Sequence, residues 1–247
     1  MKVICFSDVH LLLHSSPEEK QKLAIFEEFL NYVEEENPDR LIIAGDLFDV
    51  WYEYKLVIPK PYFHVLHKLA AIKEAGADLI YLVGNHDFKF LDFFDKYIPA
   101  TIYHDCYETT INGKKYIFSH GDAYTSNDLR YHILKSILRN RFINALFGLI
   151  HPDLGLKFGR WMSRSSREKQ DPPGKLKSLE KGLIRFAQKK ISHGYDYVVM
   201  GHIHNTKIVK LDGGKYINLG DWIQHFSYLL IENEVPELKF WQKATDK

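Results

Sequence analysis

Short apolar runs recur along the chain, and each of the first five is followed by a polar cluster. The runs are at most six residues long and rich in β-branched and aromatic residues, which is typical of buried strands. The predicted strands are Val3–Phe6, Leu41–Ala44, Leu79–Val83, Tyr116–Phe118, Tyr197–Met200, Lys215–Leu219, Ser227–Glu232 and Glu237–Trp241.

Two amphipathic helices are predicted between the first three strands. The first begins with a capping box from Ser16 to Glu19, in which Pro17 takes the first helical position. The second begins at Pro61 and ends at Gly76. Their inward faces are predicted to carry Leu23, Phe26, Leu30 and Val33, and then Tyr62, Leu66 and Leu69. This alternation of strands and helices predicts an α/β fold with a parallel sheet and right-handed crossovers.

Beyond Asp122 the pattern becomes helical and basic. One helix is predicted from Leu129 to Ile150, where Pro152 ends it, and another from about Lys175 to Lys190. We therefore predict a core made of residues 1–122 and 191–247 and a helical insertion at 123–190 that covers it. This segment, residues 123–190, is named the cap insertion below.

The charge of the chain is unevenly distributed. The whole chain has a formal charge of +1, so no nucleic-acid partner is expected. Residues 130–190, however, contain 15 Lys and Arg against 4 Asp and Glu. This excess favours a local basic surface for an anionic partner.

The compartment is predicted from cysteine content and apolar stretches. The chain has two cysteines, which does not indicate a disulfide framework. The N-terminus runs directly into a strand, without the apolar stretch of a signal peptide, and no apolar segment is long enough to cross a bilayer. A cytoplasmic protein is expected.

Five polar clusters follow the predicted strands at their carboxyl ends, which is the edge where open α/β sheets bind ligands. Carboxylate, amide and imidazole groups together suit divalent metals, and no cysteine lies in a cluster. Any one cluster is more often a turn or a helix cap than a metal site, but five in this order favour metal chemistry. The clusters are Asp8-Val-His10, Gly45-Asp46, Gly84-Asn85-His86-Asp87, Ser119-His120-Gly-Asp122 and Gly201-His202-Ile-His204.

This order of clusters resembles the calcineurin-like metallophosphoesterase superfamily, from Asp8 to His204. The resemblance implies a four-layer αββα sandwich and two divalent cations. One cation would be held by Asp8, His10, Asp46 and His204, and the other by Asp46, Asn85, His120 and His202. His86 would protonate the leaving oxygen or bind phosphate, and Asp87 would orient His86.

Further details resemble the UDP-2,3-diacylglucosamine pyrophosphatases of lipid A synthesis. These are the segment from Gly45 to Trp51, the motif Leu219-Gly-Asp-Trp222, and the pair Asp128 and Tyr131, which follows His120-Gly-Asp122. The resemblance implies substrate binding by Asp128 and Tyr131, and by Ser166 and Arg167 in a Ser/Arg-rich stretch. One departure is His86, because the best-known enzymes of that group carry arginine there.

The same resemblance implies a UDP-linked, acylated sugar as substrate, cleaved to UMP and 2,3-diacylglucosamine 1-phosphate. Apolar residues of the cap insertion could line a groove for acyl chains, or they could simply pack the insertion against the core. Its basic residues could rest on an anionic membrane, at the inner face of the cell membrane, or form an ordinary solvated face. Mn²⁺ is the preferred metal, with Fe²⁺ or Zn²⁺ as alternatives for the same ligands.

Three alternatives stay open at this point. Another phosphoesterase of the superfamily would act on a nucleotide or other phosphodiester, without needing an apolar groove. A nuclease would usually bring a broad basic face and extra domains. A metal-binding scaffold without catalysis would usually lack ligands, whereas all the motif positions are intact here.

Overall fold

The computed structural model describes residues 1–125, 140–168, 174–233 and 235–241. Its strands are β1 (Val3–Phe6), β2 (Arg40–Ile43), β3 (Trp51–Tyr52), β4 (Asp78–Leu82), β5 (Asp87–Lys89), β6 (Ala100–Tyr103), β7 (Cys106–Ile111), β8 (Lys114–Ser119), β9 (Tyr197–Met200), β10 (Lys207–Leu211), β11 (Gly214–Asn218), β12 (Ser227–Ile231) and β13 (Glu237–Phe240). Its α-helices are α1 (Pro17–Glu36), α2 (Phe63–Glu74), α3 (Phe93–Lys96), α4 (Arg141–Phe147), α5 (Pro152–Glu168) and α6 (Lys175–Ser192).

Two large sheets and one small one organise these strands. The first sheet has the order β13-β12-β1-β2-β4-β6, and β1, β2, β4 and β6 run parallel as predicted for the first three. The second has the order β10-β11-β9-β8-β7, with β8, β9 and β11 parallel. Strands β3 and β5 form a separate two-stranded sheet. In both large sheets, the parallel strands bring their carboxyl ends to one edge.

Four layers result from the packing of apolar faces. Helices α1 and α2 cover the outer face of the first sheet through residues such as Phe29 and Leu69. The inner faces of the two sheets meet around Cys5, Ile42 and Val199. Helix α6 covers the second sheet through a third apolar cluster that includes Leu183. The predicted αββα sandwich is confirmed.

The predicted start of α1 is confirmed, whereas α2 begins later than predicted. The Ser16 hydroxyl accepts a hydrogen bond from the Glu19 N–H at 3.2 Å and caps α1. A 3₁₀ turn at Lys60–Tyr62 leads into α2, which therefore begins two residues after the predicted position. Tyr62, Leu66 and Leu69 are buried, as predicted.

The cap insertion differs in detail from the prediction. Of the helix predicted from Leu129 to Ile150, the described part forms α4, and residues 126–139 lie outside the described ranges. Pro152 was predicted only to end a helix, but it also begins α5. At the first position of a helix, the backbone N–H that proline lacks has no partner within the helix, so nothing is lost. The prediction missed α3 and α5, and it also missed β3, β5, β6, β7 and β10. Several of these strands lie at sheet edges with half-exposed residues, so they lack a continuous apolar run.

No helix within the described ranges combines the length and the apolar character that a bilayer crossing requires.

Candidate metal centre

The predicted metal-ligating residues converge from both large sheets. Asp8, Asp46 and Asn85 follow β1, β2 and β4 of the first sheet, while His120 and His202 follow β8 and β9 of the second. Backbone hydrogen bonds join the loops, for example from the Asp8 N–H to the Gly45 carbonyl at 3.1 Å. The site therefore lies where the carboxyl-end edges of the two sheets come together.

Asp8, His10 and His204 form the first group of facing side chains. The Nε2 atoms of His10 and His204 lie 3.2 Å apart. The same two atoms lie 3.6 Å and 3.3 Å from Asp8 Oδ1. Two imidazoles and one carboxylate thus point at a common space.

Asp46, Asn85 and His120 form the second group. His120 Nε2 lies 3.3 Å from Asp46 Oδ2 and 3.0 Å from Asn85 Oδ1. His202 joins this group, with its ring centroid 5.2 Å from that of His120. Asp46 Oδ2 also lies 3.8 Å from His10 Nε2, so Asp46 stands between the two groups.

The backbone of the site adopts an uncommon conformation. Positive φ angles of 48° to 71° occur at five of the predicted ligands, namely Asp8, His10, Asp46, His202 and His204. Such left-handed conformations cost side-chain-bearing residues about 1–3 kcal/mol each and persist only where the surroundings impose them. These backbone conformations direct the polar side chains of each cluster toward one site. The periodicity of the sequence does not reveal this feature.

Gly84 allows the third cluster to approach Asp46. A Cβ at this position would overlap the Asp46 carboxylate. Close approach lets the His86 N–H donate to Asp46 Oδ1 at 2.8 Å, which holds the carboxylate in place. The glycine of the Gly84-Asn85-His86-Asp87 cluster is therefore required by packing around Asp46.

The electrostatics of the site favour the neutral imidazole at His10 and His202 and the ionised carboxylate at Asp8 and Asp46. Removal from water lowers the pKa of His10 to about 3 and that of His202 to about 4. For Asp8 and Asp46, removal from water would raise the pKa, but the facing histidines lower it below the usual range. Neutral imidazole and ionised carboxylate are the forms that bind metals.

His120 shows that the site attracts positive charge. Its Nδ1–H donates to the Ala44 carbonyl at 2.9 Å. In the neutral ring, Nε2 therefore carries a lone pair, and this lone pair faces Asn85 Oδ1 and Asp46. Removal from water opposes protonation, yet the Asp46 and Asp8 carboxylates raise the pKa of His120 well above its usual value. The same acceptors can be satisfied by a divalent cation instead of a proton.

An unpartnered buried oxygen points in the same direction. Among the residues that the structure describes, Asp8 Oδ1, which faces Nε2 of His10 and His204, is buried without a hydrogen-bond partner. Carboxylate oxygens, an amide oxygen and imidazole nitrogens are also the donors that divalent metals prefer. The residues present therefore fit a metal centre.

Comparison with known proteins agrees with this geometry. A family model described as calcineurin-like phosphoesterase matches residues 1–206. The chain belongs to the calcineurin-like phosphoesterase family. It is a metal-dependent hydrolase, as predicted.

Relatives and one solved structure extend the comparison. The phosphoesterase is 28% identical over 246 residues to the UDP-2,3-diacylglucosamine hydrolase of Porphyromonas gingivalis, with 92% of each chain covered. It is 27% identical over 244 residues to the protein of the same name from Psychromonas ingrahamii, with 95% of each chain covered. The E. coli phosphoesterase Yfce superposes with a TM-score of 0.51 at 14% identity, covering 99% of this chain and 96% of that one. This last likeness concerns the fold alone.

His86 of the phosphoesterase is oriented by a residue that the sequence did not single out as a site residue. Its Nδ1–H donates to the Asp49 carbonyl at 2.7 Å. Asp87, predicted to orient His86, instead accepts hydrogen bonds from the Gly84 N–H at 2.8 Å and the Tyr81 hydroxyl at 2.9 Å. Burial and the charge of Asp46 raise the pKa of Asp87 to about 7. The contact that orients His86 thus comes from Asp49 and not from Asp87.

A second residue outside the predicted set lies beside His204. Asp221 is buried, accepts from the N–H groups of Ile223 and Gln224, and has Oδ2 2.8 Å from His225 Nδ1 and 4.0 Å from His204 Nδ1. The sequence signal for it is the Leu219-Gly-Asp-Trp222 motif, which does not by itself indicate a role for the aspartate. The carboxylate faces the side of His204 turned away from the metal centre, where it can bias the ring orientation.

Replacing Asp221 by asparagine should weaken metal affinity by about tenfold, since the imidazole would lose a charged neighbour. The measurement is metal titration by calorimetry, with His193→Asn, at an exposed histidine, as the control. An affinity equal to that of the wild type would show that Asp221 only shapes the turn at Ile223 and Gln224.

The predicted substrate-binding residues are only partly placed by the structure. Asp128 and Tyr131 lie outside the described residues, and so do the side chains of Ser166 and Arg167, whose backbone belongs to α5. Their role in substrate binding stays a prediction, as does the boundary of the cap insertion at residue 190.

Proposed function

We propose that this phosphoesterase hydrolyses UDP-2,3-diacylglucosamine to UMP and 2,3-diacylglucosamine 1-phosphate. The observation that carries the proposal is that relatives named for this substrate match 92% and 95% of the chain, with a similar share of their own length. Hydrolysis would break the phosphoanhydride bond, with attack at the phosphorus on the uridine side.

Two divalent cations, preferably Mn²⁺, belong to the proposal. One would be held by Asp8, His10, Asp46 and His204, and the other by Asp46, Asn85, His120 and His202. The position of Asp46 between the two groups of side chains supports a bridging role. Such a pair of cations supplies charge stabilisation for the attacking and leaving oxygens.

His86 is proposed to act on the diphosphate. Because Nδ1–H is engaged by the Asp49 carbonyl, Nε2 is the atom turned toward the centre, 4.0 Å from Asp46 Oδ2. In its protonated form, the ring can donate a proton or a hydrogen bond from Nε2 to a phosphate oxygen. Nδ1 carries a hydrogen in both the neutral and the protonated ring. The hydrogen bond to the Asp49 carbonyl, and with it the direction of Nε2, is therefore the same in both states.

The acyl chains are proposed to bind the apolar cap face, a set of side chains on or next to α4 and α5. These side chains are exposed, so packing against the core does not account for them. They are Phe142 (72% exposed), Leu146, Leu149, Leu154, Phe158 and Trp161. Each buried CH₂ of an acyl chain contributes roughly 0.8 kcal/mol, so this face should dominate affinity.

The same face is proposed to rest against the membrane that contains such a lipid. Lys157 is exposed on the same helix, α5, as Phe158 and Trp161, and the cap insertion as a whole is basic. Exposed aromatic and aliphatic residues beside basic ones suit peripheral binding to anionic lipid head groups.

The testing experiment compares three substrates on the metal-loaded enzyme: the diacylated UDP-sugar, its deacylated form and an aryl phosphodiester. Loss of the acyl chains should reduce kcat/KM by roughly a hundredfold or more, because only a few buried CH₂ groups account for that. Equal rates on the first two substrates would refute the lipid assignment.

The second candidate is a phosphoesterase that acts on a nucleotide or another phosphodiester. The observation that favours it is His86, which stands where the best-known diacylglucosamine enzymes have arginine. Under this candidate, the aryl phosphodiester would be cleaved as fast as the lipid. Failure on all three substrates with metals bound would favour a metal-binding scaffold without catalysis.

A further inference from the structure

The segment from Asp49 to Tyr54 connects the metal centre with the cap insertion. Its strand β3 pairs in parallel with β5, and the Trp51 N–H donates to the His86 carbonyl at 3.0 Å. One end of the segment therefore lies beside His86, next to the proposed ligand Asn85.

The other end of the segment, at Tyr52 and Tyr54, contacts helices α4 and α5 of the cap insertion. The Tyr52 hydroxyl donates to the Asn144 carbonyl at 2.6 Å, and its ring centroid lies 4.8 Å from that of Phe147. Tyr54 lies so close to α5 that a Cβ at Gly155 would overlap its hydroxyl. Helices α4 and α5 are thus seated on the same short segment that contacts His86.

A buried hydrogen bond joins α5 to the start of this segment. The Ser163 hydroxyl donates to Asp49 Oδ1 at 2.5 Å, and these two residues are 5% and 2% exposed. The carbonyl of the same Asp49 accepts from His86 Nδ1. Asp49 therefore contacts the cap insertion through its carboxylate and His86 through its backbone.

The Asp49 carboxylate lies near the hydrogen bond that orients His86. Asp49 Oδ1 is 3.9 Å from His86 Nδ1, which is beyond hydrogen-bond distance in this arrangement, but a small rotation of the ring would bring the two atoms into contact. A carboxylate is a stronger acceptor than a carbonyl, and a hydroxyl donating to Oδ1 weakens its attraction for the imidazole N–H. Loss of this donor would strengthen the attraction of the His86 N–H to Oδ1 and draw Nε2 away from its present direction.

We propose that Ser163 is a positioning residue that acts through Asp49 to hold His86 in its working orientation. The cap insertion thereby sets the geometry of the metal centre in addition to providing a surface for substrate. The inference rests on the proposed function insofar as His86 must act on the substrate.

The test is a double-mutant cycle with Ser163→Ala and His86→Ala, measured on the diacylated UDP-sugar and the aryl phosphodiester. Ser163→Ala should lower kcat on the order of tenfold, with KM and metal content nearly unchanged, because an oriented group is lost but no substrate contact. In the His86→Ala background the same substitution should have no further effect, since the group it positions is gone. Ser192→Ala, at an exposed serine of α6, is the matched control and should behave as the wild type.

Two results would overturn the inference. One is an equal loss of kcat in both backgrounds, which would mean that Ser163 acts independently of His86. The other is a raised KM with unchanged kcat, which would make Ser163 a substrate contact. If Ser163→Ala fails to fold, Ser163→Cys replaces it, and its weaker S–H donor should give an intermediate kcat.

The proposed function and this inference fail in different ways. An enzyme that cleaves the aryl phosphodiester but not the lipid would refute the substrate assignment. The cycle on the aryl phosphodiester would still give coupling between Ser163 and His86 if the inference holds, and additivity if it does not.

Discussion

Replacing Asp46 by alanine should lower kcat on the diacylated substrate by roughly three orders of magnitude or more. Asp46 stands between the two groups of metal-ligating side chains, with Oδ2 3.3 Å from His120 Nε2 and 3.8 Å from His10 Nε2. Its removal would leave two cations facing each other without the intervening negative charge. Metal content per chain should therefore fall together with activity, and both are measured on the same preparation.

The Asp46→Asn variant separates charge from support of the backbone. Asp46 Oδ1 accepts a hydrogen bond from the His86 N–H, and an asparagine oxygen can keep that bond while losing the charge. Asn and Ala variants should therefore both be severely impaired, with the loop at His86 better preserved in the first. Asp212→Ala, in an exposed turn, is the control. One tightly bound cation, with full activity in the presence of chelator, would contradict the two-metal mechanism.

Replacing His86 by alanine should lower kcat by about 10²–10⁴-fold while leaving metal content nearly unchanged. His86 faces the centre through Nε2, whereas its Nδ1 is engaged by the Asp49 carbonyl. A group that donates to a phosphate oxygen affects turnover more than it affects the binding of cations. The measurements are kcat and the metal-to-protein ratio, with His64→Ala, at an exposed position of α2, as the control.

Collapse of metal content in His86→Ala would show that His86 is a ligand or a structural residue. His86→Arg is the more informative variant for substrate class. Retained activity on the UDP-lipid would support kinship with the enzymes that carry arginine at this position, because a guanidinium can bind phosphate but does not readily give up a proton.

Local sequence pattern is sufficient to predict the strands in the middle of the sheets and the residues that follow them. Val3–Phe6 and Tyr197–Met200 were predicted with their final bounds, because strands buried on both faces leave continuous apolar runs. Ser16 likewise predicted the start of α1, since capping depends only on nearby residues. In parallel strands, the residue after each run must lie at one edge, so the clusters indicate a site from the sequence alone.

The way in which those clusters meet depends on the packing of the two sheets. His120 and His202 come from a different sheet than Asp46, and no local pattern states that the two edges face each other. The left-handed backbone at Asp8, Asp46 and His204 is uncommon even for aspartate and histidine, and it persists because the surrounding contacts hold it. The pairing of β3 with β5 joins residues 36 positions apart. The hydrogen bond from Ser163 to Asp49 joins residues 114 positions apart. Contacts across such separations depend on the packing of whole layers, which is why the partners of His86 and His204 emerged only from the fold.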